Sequence, residues 1–215
     1  MVDDHDSKSC GLRPWRFESS LAHKMEKVNR DYRGNLAYII GIALGDGNLS
    51  NPNGRAVRLR VTCDTKYPKI IKHIIKSIRI ILPNNRVSII KRATNYVDIS
   101  CYSNKWPQML GWNVGAKYEQ QVSVTSWIKK DKIFAKLCLL GLLQTDGSIY
   151  NDRGYKMVNF VSTIRPLAQD AKTLISILGF NSQLYTIKQF RKKTRYNLRI
   201  SKNVNNFIKT VSFTK

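Results

Sequence analysis

The sequence predicts an α+β fold built from two pseudo-symmetric halves, each ordered αββαββα, with helices layered on one side of an antiparallel sheet. Three observations predict it. An apolar helical run ending in an Asp-Gly pair, Leu36 to Gly47, returns as Leu137 to Gly147, so that Gly41, Asp46 and Gly47 are matched by Gly141, Asp146 and Gly147. A proline-opened helix follows each copy, at Pro68 and Pro166. These prolines lie 98 residues apart and the aspartates 100, a duplication with small loop differences. The segments around these helices alternate with period two, basic or amide residues on one side and aliphatic ones on the other.

The elements follow in chain order. Residues 1–34 read as an extension, with disorder expected up to about Gly11. Trp15, Phe17, Leu21 and Met25 are spaced for an amphipathic turn or helix that docks on the body. Asn35 is the expected N-cap of the first apolar helix. The first half is residues 35–116. An Asp-Gly pair after an apolar helix, taken alone, is a C-terminal turn with left-handed glycine. Asn48 to Gly54 reads as a turn-rich loop. A strand from Ala56 to Thr62 puts Arg58, Arg60 and Thr62 outward and Val57, Leu59 and Val61 inward. Pro68 opens a helix to Leu82 with Ile70, Ile71, Ile74, Ile75 and Ile78 on its apolar stripe. Strands at 86–92 and 96–102 turn Val87, Ile89, Val97, Ile99 and Cys101 inward, with Arg86, Ser88, Arg92, Asp98 and Ser100 outward. A short helix from Asn104 to Trp112 closes the half.

Residues 117–130 form a linker without Gly/Ser spacer character, anchored by Trp127. The second half, 131–215, repeats the order: a strand to Thr163, a helix from Pro166 to Leu178, strands near 182–189 and 195–201, and a helix near 203–211. The strand at 155–163 has the weakest period, because Val158 and Phe160 fall on the side expected to be polar.

Charge sets the partner class. The net charge is +23, and residues 35–215 hold 30 Lys/Arg against 8 Asp/Glu. Such an excess points to a polyanion, nucleic acid first. No apolar run of about 18 residues occurs, which excludes a membrane-spanning helix. No secretory or transit signal opens the chain. Cys10, Cys63, Cys101 and Cys138 are widely spaced, which predicts free thiols in a reducing intracellular compartment, whether a bacterial or archaeal cytoplasm or an organelle.

The expected open sheet face carries Arg58, Arg60, Arg86 and Arg92 in one half. In the other it carries Lys156, Gln183, Tyr185, Gln189, Arg195, Asn197 and Arg199. Arg, Asn and Gln suit bidentate hydrogen bonds to base edges, and further cations suit phosphates. A merely solvated face mixes Glu with Lys; acidic partners are nearly absent here. Gly41 and Gly45, with counterparts Gly141 and Thr145, open one flank of each apolar helix to close packing. Side-by-side packing brings Asp46 and Asp146 together at two helix C-termini, where the helix dipoles disfavour anions. Divalent cations resolve that conflict. Two carboxylates, Mg²⁺ and a phosphate make phosphodiester hydrolysis the natural chemistry.

Ile39–Gly47 and Leu139–Gly147 resemble the two copies of the nine-residue motif of single-chain LAGLIDADG homing endonucleases. Both keep the glycine, the final acid and the final glycine; Leu44 and Gln144 replace the first acid. The resemblance covers residues 35–215. It implies two curved sheets forming a saddle on a long double-stranded DNA site, and site-specific cleavage of both strands by a monomer. It implies Mg²⁺ as cofactor, with Mn²⁺ substituting and Ca²⁺ supporting binding without cleavage. By position, Asp46 and Asp146 become the metal-binding catalytic acids, with the carbonyls of Gly45 and Thr145 beside them. Lys117 matches a lysine found after the first closing helix, and Lys215 is its candidate counterpart. The family's basic or amide residue at the first strand's end is replaced by Cys63-Asp64 and Ser162-Thr163. The alternatives on this scaffold are an intron maturase acting on RNA and a DNA-binding regulator that never cuts. Without a splicing-type N-terminal Cys or Ser, the expectation is a free-standing protein encoded within an intron.

Overall fold

Leu36 to Leu44 is apolar on every side, a composition that only burial on all sides tolerates. The structure buries all of it. Each isoleucine in the run contributes about 1.5–3 kcal/mol by leaving water. The computed structural model describes residues 15–92, 94–188 and 190–214, with side chains from residue 23 onward. The disorder expected up to Gly11, the docking of Trp15, Phe17 and Leu21, and the positions of Cys10, Gln189 and Lys215 lie outside what is described.

The first half contains α1 (Trp15–Gly45), β1 (Gly47–Ser50), β2 (Arg58–Asp64), α2 (Pro68–Ile81), β3 (Val87–Lys91), β4 (Tyr96–Tyr102) and α3 (Trp106–Leu110). A short α4 (Ser126–Lys129) leads into α5 (Lys132–Asp146). Then follow β5 (Gly147–Asp152), β6 (Tyr155–Ser162), α6 (Arg165–Ile177), β7 (Gln183–Ile187), β8 (Arg195–Ile200) and α7 (Val204–Val211). The strands form two antiparallel sheets of identical order, β1-β2-β4-β3 and β5-β6-β8-β7. The expected α+β fold with duplicated halves is therefore present. Helices α1 and α5 pack along each other at the centre of one continuous core.

Several local expectations need correction. Asn35 is not an N-cap, because α1 begins twenty residues earlier and runs through it. Its amide donates to the Asp31 carbonyl (2.8 Å) and accepts from Ser77 Oγ (2.8 Å), tying α1 to α2. Met25 does not dock on the body; it is 72% exposed, and Val28 is 63% exposed. The loop expected from Asn48 begins instead as strand β1, paired through Gly47↔Val61 to Ser50↔Arg58. Ile89 faces the core side of β3, yet it is 49% exposed because β3 is an edge strand. Asp98 and Ser100 do lie on the open face, opposite Thr62 and Arg60, but they are nearly buried there because β4 is central and flanked on both sides.

The segment between the two halves packs against the core through Val122, Val124 and Ile128. Trp127 meets Phe134 edge-on (5.3 Å), and the Arg33 guanidinium lies 4.9 Å from the Trp127 ring. Asp170 on α6 accepts from the Val124 amide (2.7 Å) and from Lys129 (2.6 Å). Cys63, Cys101 and Cys138 are free thiols. Among the described residues no helix is long and apolar enough to cross a membrane.

Candidate active site

Small residues on two facing helices let backbones touch, and α1 and α5 use this reciprocally. A Cβ added at Gly41 would lie 2.1 Å from the Cys138 carbonyl oxygen; one at Gly141 would lie 2.5 Å from that of Tyr38. No side chain fits at either place. The helices therefore run in contact to their C-terminal ends, where the motif acids sit.

At those ends the chain passes straight from helix to strand. Asp46 N donates to the Ile42 carbonyl (3.0 Å), and Gly147 N caps α5 through Leu143 O. Gly147 is extended (φ −90°, ψ 156°), and Gly47 is not among the glycines with positive φ. Neither glycine serves a left-handed turn. Each is required because the strand folds back over its own helix: a Cβ at Gly47 would meet Ala43 Cα at 2.4 Å, and one at Gly147 the Leu143 oxygen at 2.4 Å.

Both acids converge with one cation. A Cβ on Gly45 would lie 2.0 Å from Thr145 Oγ1 and 3.0 Å from Asp146 Oδ2, so the Asp146 carboxylate reaches the end of α1. Lys117, in the turn after α3, donates from Nζ to the carbonyls of Ala43 (3.1 Å), Leu44 (2.8 Å) and Gly45. It places a cation where the α1 dipole concentrates negative charge. Burial lowers its proton affinity below that of an ordinary lysine, and Asp146 and Asp46 oppose that shift. Asp46, Asp146, Gly45, Thr145 and Lys117 thus share one site. The Gly45 carbonyl is already bonded to Lys117, and the Thr145 hydroxyl turns back onto Gly141 O (3.2 Å) and Leu142 O (2.8 Å).

Beside Asp46 opens a cleft of about 400 Å³, lined among others by Thr62, Cys63, Lys66, Tyr67 and Gln144. Cys63 occupies the strand end with a neutral thiol, pushed up to about 12 by burial, then by Asp46 and Asp98. Lys66 was not singled out from the sequence. It lines the cleft three residues past Cys63 and pairs with Asp64 (2.9 Å). Gln144, at the motif's missing acid, accepts a hydrogen bond from Tyr38 OH (2.7 Å). The phenol is stacked on His73 (3.9 Å).

The sheet faces come from register. Arg58 and Arg60 share the open face with Tyr102 and Ser100. Arg86 and Arg92 flank β3, and Arg92 Nε donates to Asp98 (2.9 Å). Gln183, Tyr185, Arg195, Asn197 and Arg199 also share one face, through Gln183↔Arg199, Tyr185↔Asn197 and Ile187↔Arg195. Lys156 does not join them. It pairs with Asn151 and has the parity of Val158 and Phe160, which are buried against the helices. The outward amide of β6 is Asn159, opposite Arg199, on the face that Met157 and Val161 share. The faces are also less purely basic than composition suggests. Each carries an aspartate holding an arginine, Asp98 with Arg92 and Asp152 with Arg199 (2.5 Å).

Residues 134–211 match the LAGLIDADG-like domain family. Among solved structures, the homing endonuclease I-DmoI in complex with DNA and Mn has a TM-score of 0.64 at 18% identity, over 86% of this chain and 99% of that one. The N-terminal LAGLIDADG domain of DUF199/WhiA has a TM-score of 0.56 at 13% identity, over 86% of this chain and 85% of that one. The tRNA-splicing ligase RtcB of Methanopyrus kandleri is 26% identical over 206 residues, 84% of this chain. This chain spans about a fifth (21%) of that relative's length.

Proposed function

Since this chain has the LAGLIDADG fold in its single-chain form with two motifs, we propose that it is a site-specific, divalent-metal-dependent endonuclease of double-stranded DNA, acting as a monomer on a long site. The carrying observation is the convergence of Asp46, Asp146 and Lys117 at the paired ends of α1 and α5. The basic sheet faces and the net charge of +23 support a polyanionic duplex as substrate. The likeness to I-DmoI bound to DNA with Mn, Mg or Ca is consistent with it.

The residues fit a hard cation. Among the described residues no group of three or more His, Cys, Asp or Glu gathers. Two carboxylates with backbone carbonyls suit Mg²⁺, which keeps waters and takes phosphate oxygens. Asp46 and Asp146 would hold it, with the Thr145 carbonyl beside them, while the Gly45 carbonyl is held by Lys117. When bound, it would supply an activated water and neutralise charge on the scissile phosphate. Lys117 holds the α1 terminus and keeps positive charge beside both acids. The open-face arginines and amides would bind and orient the duplex.

The test is cleavage of sites selected from a randomised duplex library with Mg²⁺ or Mn²⁺. Asp46→Asn and Asp146→Asn are each expected to lose double-strand cleavage by about 10³-fold or more, while retaining DNA binding. Wild-type cutting rates in either variant would remove the assigned site. A non-cleaving binding protein, whether a DNA-binding regulator or an intron maturase, is the second reading. The match to DUF199/WhiA favours it, since that chain carries the fold without being named an endonuclease. Failure to nick any bound duplex with Mg²⁺ or Mn²⁺, together with tighter binding to structured intron RNA than to duplex DNA, would select the maturase. The ligation activity of the RtcB relative is not carried over, because the aligned part is a minor share of that protein.

A further inference from the structure

The two sheets present equivalent rows of positions on their open faces, and the chemistry in those rows differs. One row runs Asn48–Arg60–Ser100–Ser88 in the first sheet. Its counterpart is Ser148–Asn159–Arg199–Gln183 in the second. The next row runs Thr62–Asp98–Ile90 against Val161–Asn197–Tyr185. Serines and a carboxylate stand in the first sheet where an arginine and amides stand in the second. Arginine and amide side chains make the paired hydrogen bonds that distinguish base edges.

Hydrogen bonding separates the faces further. In the first sheet several polar groups close on one another. Asp98 accepts from Thr62 Oγ1 (2.7 Å) and Arg92 Nε (2.9 Å), and Arg58 Nε donates to Ser50 Oγ (3.3 Å). In the second sheet Asn159 Oδ1, Asn197 Oδ1 and Arg199 Nε are buried without a hydrogen-bond partner among the described residues. No strand of the first sheet holds such an atom among its described residues. Buried polar groups are rarely left unpaired, so each calls for an explanation. These three sit in two adjacent rows: Asn159 and Arg199 are cross-strand partners, and Asn197 lies two residues along β8 from Arg199. Asp152 holds one terminal nitrogen of Arg199 and leaves the Nε edge uncommitted.

We propose that direct base recognition is concentrated in the half-site under the second sheet, with Asn159, Asn197 and Arg199 as specificity-determining residues and Asp152 as the residue that orients Arg199. The first sheet then holds its half-site mainly through phosphates and DNA shape, which position without naming bases. The inference rests on the duplex-DNA reading above but not on cleavage, so it is tested by binding.

The full-length protein is incubated with a randomised duplex library in Ca²⁺, and bound sequences are recovered. Base preferences are expected to be strong in one half of the site and weak in the other. Asn159→Ser and Arg199→Met should each flatten preference at one or two base pairs of the strong half, reducing discrimination there roughly 5- to 150-fold. Arg60→Met, at the position matching Asn159, should weaken all sequences alike and lower the salt dependence of binding by about one ion. Asn159→Ser changes a single half-buried amide, so it carries the test if Arg199→Met folds poorly. Equal preference in both halves, or uniform weakening by Asn159→Ser and Arg199→Met, would overturn the inference. Failure to bind any duplex at low salt would instead overturn the duplex-DNA reading, and the inference with it.

Discussion

The two halves agree where backbones touch and diverge where side chains do the work. At the centre of the α1–α5 pair, Gly41 meets the backbone of Cys138 and Leu142, while Gly141 meets that of Tyr38 and Ile42. Each contact is the other shifted by one hundred residues. One turn onward the match fails. Gly45 faces Thr145 and Leu44 corresponds to Gln144, and one turn before the glycines the side chains already differ, Tyr38 against Cys138. His73, stacked on Tyr38, has Ala171 as its counterpart in the second half. A duplicated fold keeps its symmetry where only the absence of a side chain permits packing. Elsewhere each half is free to specialise.

The largest expected effect tests that statement directly. Gly41→Ala and Gly141→Ala should each destabilise by about 3 kcal/mol or more, because the new methyl meets backbone that cannot rotate away. Chemical denaturation should give nearly equal losses. A variant tolerated on one side alone would mean that the helices accommodate strain unequally. Gly45→Ala should be milder in stability, since it meets the Thr145 side chain, yet it displaces the group beside Asp146.

Next in size is Lys117→Met. Three bonds from one ammonium to the last α1 carbonyls are charge-assisted. Losing them should cost about 2 kcal/mol. On the endonuclease reading it should also slow strand cleavage, because Asp46 and Asp146 both lose a cation whose field they share. Unchanged melting with reduced cleavage would restrict Lys117 to the chemistry.

Much of this was legible in the sequence, for reasons that are local. The Asp46 and Asp146 repeats, the proline-opened helices and the alternation in β2 and β8 all follow from side-chain period. What escaped depended on neighbours in space. Strands β1 and β5 are short and begin on a motif glycine, so turn-forming residues such as Asn48 and Asn151 hid them. Asn35 looked like a cap because the sparse apolar residues before it, Met25, Val28 and Tyr32, do not reveal that α1 projects from the body, where Met25 and Val28 stay exposed. In β6, Met157 and Val161 give the open face an apolar look, which put Lys156 on the wrong side and concealed Asn159. Period placed Asp98 on the open face but could not show that β4 is central and that the carboxylate is nearly buried there.

Asp98 and its second-half counterpart Asn197 give a smaller, pH-dependent contrast. Burial alone would raise the Asp98 carboxyl. Hydrogen bonds from Thr62 and Arg92, with Arg60 nearby, outweigh it and hold the group below the ordinary carboxylate value. A carboxyl lowered on folding contributes stability that is complete above its unfolded value near 4 and is lost as pH falls through its folded value. The melting midpoint should therefore fall more steeply below about pH 4 in wild type than in Asp98→Asn. Equal acid sensitivity would place the titration on other carboxylates.

The smallest effect converts one half toward the other. Tyr38 OH donates to Gln144 Oε1 at 2.7 Å, across the helix pair and one residue from Thr145. Burial, then Cys63, raises the phenol well above its usual range, so it remains a donor at any physiological pH. The symmetry-related positions hold Cys138 and Leu44, both buried and needing no such bond. Tyr38→Phe should cost about 1 kcal/mol, chiefly by leaving the Gln144 oxygen without its donor. Gln144→Leu restores the apolar pairing of the other half, so the double variant should recover most of that loss. A double-mutant cycle should then give a coupling of about 1 kcal/mol between the two positions. If Tyr38→Phe costs as much beside Leu as beside Gln at position 144, the bond to Gln144 contributes nothing, and Tyr38 is held by ring packing that Phe keeps, the stack on His73 included. The asymmetry of the helix pair would then belong to α2 and not to the site.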